Sequence, residues 1–447
     1  MMTSEKTVLC ELAQRLKQEG FADVRFYIER TERVGVGVLD GKRDSATRAK
    51  ESAYFVEAGK DGKRCCTFFN TLDGMDDVVE QMQISASASQ EDYQPLPAFE
   101  QEVSYHTDFA PADELEAIKV LAEAESKARE EKRIAAISNC RYNHSWKEVV
   151  LMDENGTCMT DSTQVASVSI GVVSREDGDT EIAHGGRSAA SLAQIDVNAL
   201  AKEVAQLGAQ RLHAKPLESG RYAVILQNSA AAELLEAYLP IFYASEMQNK
   251  MSKLAGKQGE QIACADLELI EDPELPTGRV HRHFDDEGCP VSKKYLIHGG
   301  KLESVLYNRR SAAKEEKPGS GNGFKANIQS SVGTGVTNVA LQSASGSYLS
   351  MEQLCEKMGS GIIVTDLEGV FAGVNTINGS FSLLSKGMLV ENGKPVKPFC
   401  EVTIAGNIYT MLEEIEALGD DPAPTAAGSQ FVQTPSILLK GLTVSGL

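Results

Sequence analysis

Apolar residues recur at two spacings in the first part of the chain. A helical spacing places Val8, Leu9, Leu12, Ala13 and Leu16 on one face, and Gly20 lies where such a helix ends. Strand-like runs follow at 24–28, 34–39, 52–56 and 65–69, and Asp-Gly turns at 40–41 and 61–62 separate them. A second helix is predicted from Met75. This pattern predicts an α+β region over residues 1–105, with a sheet covered by helices on one face.

The next region, residues 106–218, combines helices with further strands. A small, polar connector at 85–111 leads into a charged helix predicted from Pro111 to about Arg133. Residues 153–156 predict a hairpin, and Asp196 can cap a helix. Pro216 and Gly220 mark the boundary with the last region.

Residues 219–447 carry the densest turn signals. A buried strand at 222–226 is predicted to feed a helix, and turns at 299–300 and 392–393 each join two strand-like runs. Asn407 can cap a helix whose apolar face extends to Ile415. The region is predicted to be a strand-rich mixed α+β domain, so the whole chain is assigned to the α+β class.

Composition narrows the classes of function. The formal net charge of −20 repels phosphate backbones, which disfavours nucleic-acid binding. The nine cysteines are scattered without a C-x-x-C pair, as in reduced proteins. We find no signal peptide and no apolar run long enough to span a membrane. A cytoplasmic protein without membrane contact is therefore expected.

Several stretches of the last region resemble the TldD/PmbA family, also called the modulator of DNA gyrase family, in the order that the family uses. They are the strand and helix at 222–241, the run 284–290 with the hairpin at 296–302, the glycine-rich 319–323, the segments 379–382, 390–394 and 402–407, and the chain end 435–446. Each motif is short, but their joint order extends over about half of the chain. The resemblance implies the family's fold and a relationship to metallopeptidases.

The resemblance also implies that this chain lacks the catalytic metal. Zinc-bearing members carry His-Glu-x-x-x-His in the helix at this position, where this chain has Glu236, Ala237 and Ile241. Ile241 has no lone pair for zinc, and Ala237 cannot accept a proton. The late segment 419–431 has no cysteine to serve as the family's third ligand. The metal-free PmbA/TldE branch is implied, with no catalytic and no metal-binding residue in this chain and zinc in a TldD-like partner.

A metal-free subunit of this kind would help to enclose an unfolded peptide substrate. As substrate-binding residues we predict the polar side chains in the matching motifs, which are Asp285, Asp286, Ser320, Asn322 and Asn407. The acidic run can equally cap a turn, and the glycine-rich run can be a plain loop.

Two other functions remain open from the sequence. The chain can be a stand-alone homodimer that binds peptides or proteins without protease activity. It can also be a metal-dependent hydrolase that uses His281 and His283, because residues i and i+2 of a strand share a face. The glycine-rich run 319–325 lacks the spacing of a phosphate-binding loop, and no G-x-S-x-G motif occurs.

Overall fold

The computed structural model describes residues 3–425 and 430–447. The first two regions share one antiparallel-rich sheet of seven strands, in the order β3-β2-β1-β5-β6-β4, with β7 also paired to β6. Its strands are β1 Ala22–Leu39, β2 Lys42–Lys60, β3 Lys63–Phe69, β4 Val103–Tyr105, β5 Ile134–Asp153, β6 Cys158–Glu176 and β7 Asp179–Ala189. Because β1 pairs with β5, this sheet continues across the expected division between 1–105 and 106–218.

Four helices cover one face of this sheet. They are α1 Thr3–Gln18, α2 Met75–Ala88, α3 Glu114–Ala128 and α4 Val197–Gln210. In β1, Phe26 and Ile28 pack on α1 and α2, whereas Val36 and Val38 of the same face pack on α3 and α4. The alternation of side chains along a strand places all four residues on one side. The predicted one-sided helix cover is therefore confirmed.

The third helix is shorter than the sequence predicts. The charged segment was expected to be helical from Pro111 to about Arg133, but α3 begins at Glu114 and ends at Ala128. The Asp113 side chain accepts a hydrogen bond from the Leu115 backbone N–H and fixes the start. The predicted connector also contains the last turn of α2 and the short β4.

In the described part of the last region, the strands form two six-stranded sheets and one hairpin. The first sheet has the order β11-β10-β9-β14-β20-β19, the second β17-β16-β15-β8-β21-β18, and β12 pairs with β13. The strands are β8 Gly220–Leu226, β9 Leu267–Glu271, β10 Lys294–His298, β11 Lys301–Leu302, β12 Gly323–Lys325, β13 Val332–Thr334, β14 Asn338–Ser343, β15 Gly361–Glu368, β16 Ser380–Glu391, β17 Lys394–Asn407, β18 Ile415–Leu418, β19 Ala423–Pro424, β20 Phe431–Thr434 and β21 Ile437–Ser445.

The largest hydrophobic core joins both of these sheets to the helix that follows β8. The helices of this region are α5 Asn228–Tyr238, α6 Ala244–Gln248, α7 Arg309–Ala313, α8 Met351–Met358, α9 Val370–Gly373 and α10 Ile408–Glu413. The helix after Asn407 is shorter than expected, because Ile415 begins β18, which pairs with β21. The α+β class is confirmed.

The opposite face of the seven-stranded sheet contacts the last region. Tyr27, Phe55 and Leu151 pack there against Phe284. Next to this contact, the Asp161 side chain of β6 accepts a hydrogen bond of 2.7 Å from the His283 backbone N–H. The contact fixes the last region against one end of the sheet. No described helix has the length and apolarity that a membrane span requires.

Candidate functional site

A cleft of about 1730 Å³ lies between the seven-stranded sheet and the last region. One wall consists of β7 and α4. The other consists of α5, together with segments 276–281, 365–376 and 420–425. The size fits a peptide segment better than a small metabolite, because pockets for drug-sized ligands measure roughly 300–1,000 Å³.

Helix α5 divides its side chains between the core and this cleft. Leu234, Leu235 and Tyr238 are buried in the core, whereas Glu233 and Glu236 line the cleft. Positions 233 and 236 are one helical turn apart, so they share a face. The polar interruption of an otherwise apolar helix is the sequence signal that marks these residues, which are not among the five predicted substrate-binding residues.

The residues at the positions of the family's zinc ligands have different surroundings. Glu236 Oε1 accepts a hydrogen bond of 2.9 Å from the Gln430 backbone N–H, and Ala237 lines the cleft. Ile241 lies in the 3₁₀ turn Leu239–Phe242 and is 1% exposed within the core. A buried isoleucine and an alanine offer no electron pair to a metal, so the residues present here do not fit a zinc ion. Across the described residues, no group of three or more His, Cys, Asp or Glu side chains is arranged to hold a metal.

The cleft is acidic. The charged side chains that line it in the described part of the chain are Glu203, Glu233, Glu236, Asp366, Asp420, Asp421 and Arg187. Arg187 pairs with Glu203, and Arg211 behind the wall pairs with Asp366. Desolvation in the cleft raises the pKa of the Glu233 carboxyl, and the negative charges of Asp366 and Glu236 raise it further. A cationic group in the cleft would relieve this repulsion.

Two strand edges face the cleft. β7 is an outer strand of its sheet, with β6 as its strand partner among the described residues, and its residues 184–189 line the cleft. β19 ends the first sheet of the last region and also lines the cleft. An outer strand offers main-chain groups to which an extended peptide can add.

The predicted substrate-binding residues lie elsewhere. Asp285 is fully buried, and its carboxylate accepts backbone N–H groups of Glu287, Cys289 and Gly323. Burial raises the pKa of Asp285 to about 6, although these hydrogen bonds oppose the shift. Asp286 pairs with Arg282 and accepts the Lys325 backbone N–H. Both carboxylates thus stabilise the turn that contains them.

The other three predicted residues also make hydrogen bonds within the chain. Asn322 is fully buried and donates to both carboxylate oxygens of Glu271 at 2.9 Å, and Ser320 donates to Asn322 Oδ1. Asn407 caps α10 by accepting the Tyr409 backbone N–H. None of the five predicted residues is among those that line the cleft. Their contact with a substrate remains a prediction.

The two histidines of the alternative hydrolase site face different surroundings. Residues 281–283 lie outside any strand, so the expected shared strand face is absent from this segment. His281 lines the cleft, and its Nδ1 lies 3.1 Å from the Pro273 carbonyl oxygen. The His283 ring stacks on Tyr105 and pairs with Asp161.

Comparison with known proteins identifies relatives across nearly the whole chain. A model described as the PmbA/TldA metallopeptidase C-terminal domain matches residues 219–446, and one for the central domain matches residues 107–212. The metalloprotease PmbA of Escherichia coli O157:H7 is 28% identical over 335 residues, which are 74% of this chain and 70% of that protein.

Solved structures show the same fold. A protein of Thermotoga maritima described as a modulator of a DNA gyrase superimposes with a TM-score of 0.83 at 25% identity, covering 97% of this chain and 99% of that one. TldE of Thermococcus kodakarensis superimposes with a TM-score of 0.85 at 21% identity, covering 98% and 99%.

Proposed function

Because this chain belongs to the PmbA/TldD family of metallopeptidase-related proteins, we propose that it is the metal-free subunit of a two-subunit peptidase. The single observation that carries this proposal is the placement of α5. The helix presents Glu236 and Ala237 to a peptide-sized cleft while Ile241 is buried in the core. The scaffold of the family is thus retained, and the groups that would bind zinc are replaced.

In this proposal the partner is a TldD-like subunit, and its zinc ion supplies the activated water. This chain contributes a wall of the substrate tunnel. An unfolded peptide would lie extended along β7, held by main-chain hydrogen bonds, and the carboxylates of the cleft would attract its basic side chains. A folded protein cannot present such a strand, so the substrate class is unstructured polypeptide.

We place this assembly in the cytoplasm and away from nucleic acid. All nine cysteines are free thiols, as expected in a reducing compartment. The net charge of −20 opposes binding to DNA, so any link to gyrase would act through a peptide or protein.

A second candidate is a stand-alone homodimer that binds peptides without cleaving them. The observation in its favour is that residues of one chain form both walls of the cleft. The two candidates differ in a single respect that can be measured, namely whether peptide cleavage by a zinc-bearing relative depends on this chain.

The test is reconstitution with a family member that carries His-Glu-x-x-x-His, encoded in the same genome. Cleavage of an unstructured fluorogenic peptide is measured with each protein alone and with the mixture. We expect activity in the mixture alone, and its loss on chelation. The variant Ala237→Trp fills the cleft and should abolish that activity, whereas Ala135→Trp, at an exposed site on β5, should not. Equal cleavage by the partner with and without this chain would refute the proposal.

A further inference from the structure

A second, smaller cavity lies at the contact between the seven-stranded sheet and the last region. Its volume is about 90 Å³. Its walls come from β1, β2, β3 and β5, from the segment 91–96, and from residues 286, 287, 309, 310, 325, 331 and 332 of the last region. It shares no lining residue with the large cleft. Nothing in the proposed peptidase function uses it.

Three cations that line this cavity have no carboxylate within salt-bridge distance among the described residues. They are Arg25 of β1, Arg309 of α7 and Lys325 of β12. Arg25 is 8% exposed, its Nη2 donates to the Pro97 carbonyl oxygen, and its Nε is buried without a hydrogen-bond partner. Lys325 Nζ donates to the Ser330 carbonyl oxygen and lies 3.4 Å from the centre of the Phe55 ring.

Four of the five carboxylates that line the cavity among the described residues already pair with other cations. Glu57 pairs with Arg64, Glu91 with Arg64 and Arg310, Asp92 with Lys63, and Asp286 with Arg282. The fifth is Glu287, which accepts the Arg309 backbone N–H. Burial, followed by the negative charge of Asp285, raises the pKa of Glu287 to about 8, so it is mostly protonated at neutral pH.

Burial dominates the electrostatics of two of these cations. It lowers the pKa of Arg25 to about 10; the positive charge of Arg309 lowers it further, and Asp153 opposes the shift. Burial also lowers the pKa of Lys325 to about 8, against the negative charge of Glu57, while Arg64 acts in the same direction as burial. Arginine side chains that line one cavity can bind an oxyanion, which accepts hydrogen bonds from each guanidinium group.

We propose that this cavity binds a small oxyanion between Arg25, Arg309 and Lys325. The volume accommodates a tetrahedral or planar anion of a few atoms and excludes a nucleotide or a peptide. Arg25 belongs to the seven-stranded sheet, and Arg309 and Lys325 belong to the last region, so the anion joins the two by ionic hydrogen bonds. The site is independent of the peptidase proposal and holds for either candidate function.

Inorganic phosphate is the first probe. We expect it to raise the thermal midpoint of the full chain at pH 7 by about 3 °C at about 10 mM, relative to chloride at matched ionic strength. Formate and acetate are tested in the same way. A shift with a carboxylate and none with phosphate would support the site and assign it to a carboxylate ligand.

Two variants test whether the rise in thermal midpoint comes from an anion bound in this cavity. Arg309→Gln removes a guanidinium that makes no salt bridge within the described residues, so the chain should fold, and the shift should fall at least about threefold. Arg48→Gln, an exposed position on β2, should keep the full shift. Lys325→Met serves as a second cavity variant if Arg309→Gln does not fold. The proposal is wrong if no oxyanion shifts the midpoint beyond the chloride control, or if a folded cavity variant responds as the wild type does.

Discussion

The Glu236 carboxylate accepts a hydrogen bond of 2.9 Å from the backbone N–H of Gln430. This bond joins α5 to the residue before β20, across the cleft wall. Zinc-bearing relatives are expected to have a histidine at position 236 and a cysteine in the segment that precedes β20. In this chain the Glu236 carboxylate binds the main chain at Gln430. Residues 426–429, which belong to the segment predicted to lack the cysteine ligand, lie outside the described residues.

Ile241→His should destabilise the chain rather than restore a metal site. The isoleucine is 1% exposed among apolar neighbours, so an imidazole there has no hydrogen-bond partner, and we expect a loss of about 2–4 kcal/mol in the free energy of unfolding. Ile241→Val, which removes one methylene group, should cost about 1 kcal/mol. Urea denaturation measures both. A stable Ile241→His variant would show that this position can face the cleft.

Glu233→Gln should weaken the preference of the cleft for basic peptides. The change removes one of the carboxylates that face a bound peptide, and we expect roughly a two- to fivefold loss of affinity for a lysine-rich unstructured peptide. Affinity for a peptide with glutamate in place of lysine should rise. Fluorescence anisotropy measures both, with Glu123→Gln on the exposed face of α3 as the control. Equal loss for both peptides would contradict the electrostatic role of Glu233.

Glu287→Gln should flatten the dependence of stability on pH. The carboxyl has its ordinary pKa of 4.5 in the unfolded chain and about 8 in the folded chain. Between pH 4.5 and pH 8, folding takes up a proton at Glu287. The contribution of this carboxyl to the free energy of unfolding is therefore fully present below pH 4.5 and is lost as the pH rises towards 8. The free energy of unfolding then falls by at most about 1.4 kcal/mol per pH unit. Denaturation between pH 5 and 7.5 should show a smaller decline in the variant, and an unchanged slope would exclude Glu287 as the cause.

Asp285→Asn should destabilise the chain although it changes one atom. The carboxylate accepts three backbone N–H groups, and an amide would direct its own N–H₂ group at one of them. We expect a loss of about 2–3 kcal/mol, measured by chemical denaturation. Asp44→Asn, at an exposed site, should change little. A variant with normal stability and reduced peptide binding would instead support the prediction that Asp285 contacts the substrate.

Much of the local structure follows from the sequence. The alternation of apolar residues predicts the strands around Phe26 and Phe55, and the turns at Asp40–Gly41 and Asp61–Gly62 have the positive φ angles that their composition favours. Helix starts at Asp196 and Asn407 are confirmed, because a capping side chain binds an N–H group within the next few residues. These interactions extend over a few residues, so the sequence alone specifies them.

Tertiary structure decided which polar residues face a cavity. For the acidic run 285–287 the sequence predicts either a substrate contact or a turn cap, because unpaired buried charges are costly. The backbone N–H groups of Gly323 and Cys289 converge on Asp285 and compensate its burial, as a turn cap requires. The walls of the cleft, and the cavity that both Arg25 and Arg309 line, join residues far apart in the chain. Such encounters depend on how sheets and helices pack, and the periodicity of a single segment carries no information about its distant partner.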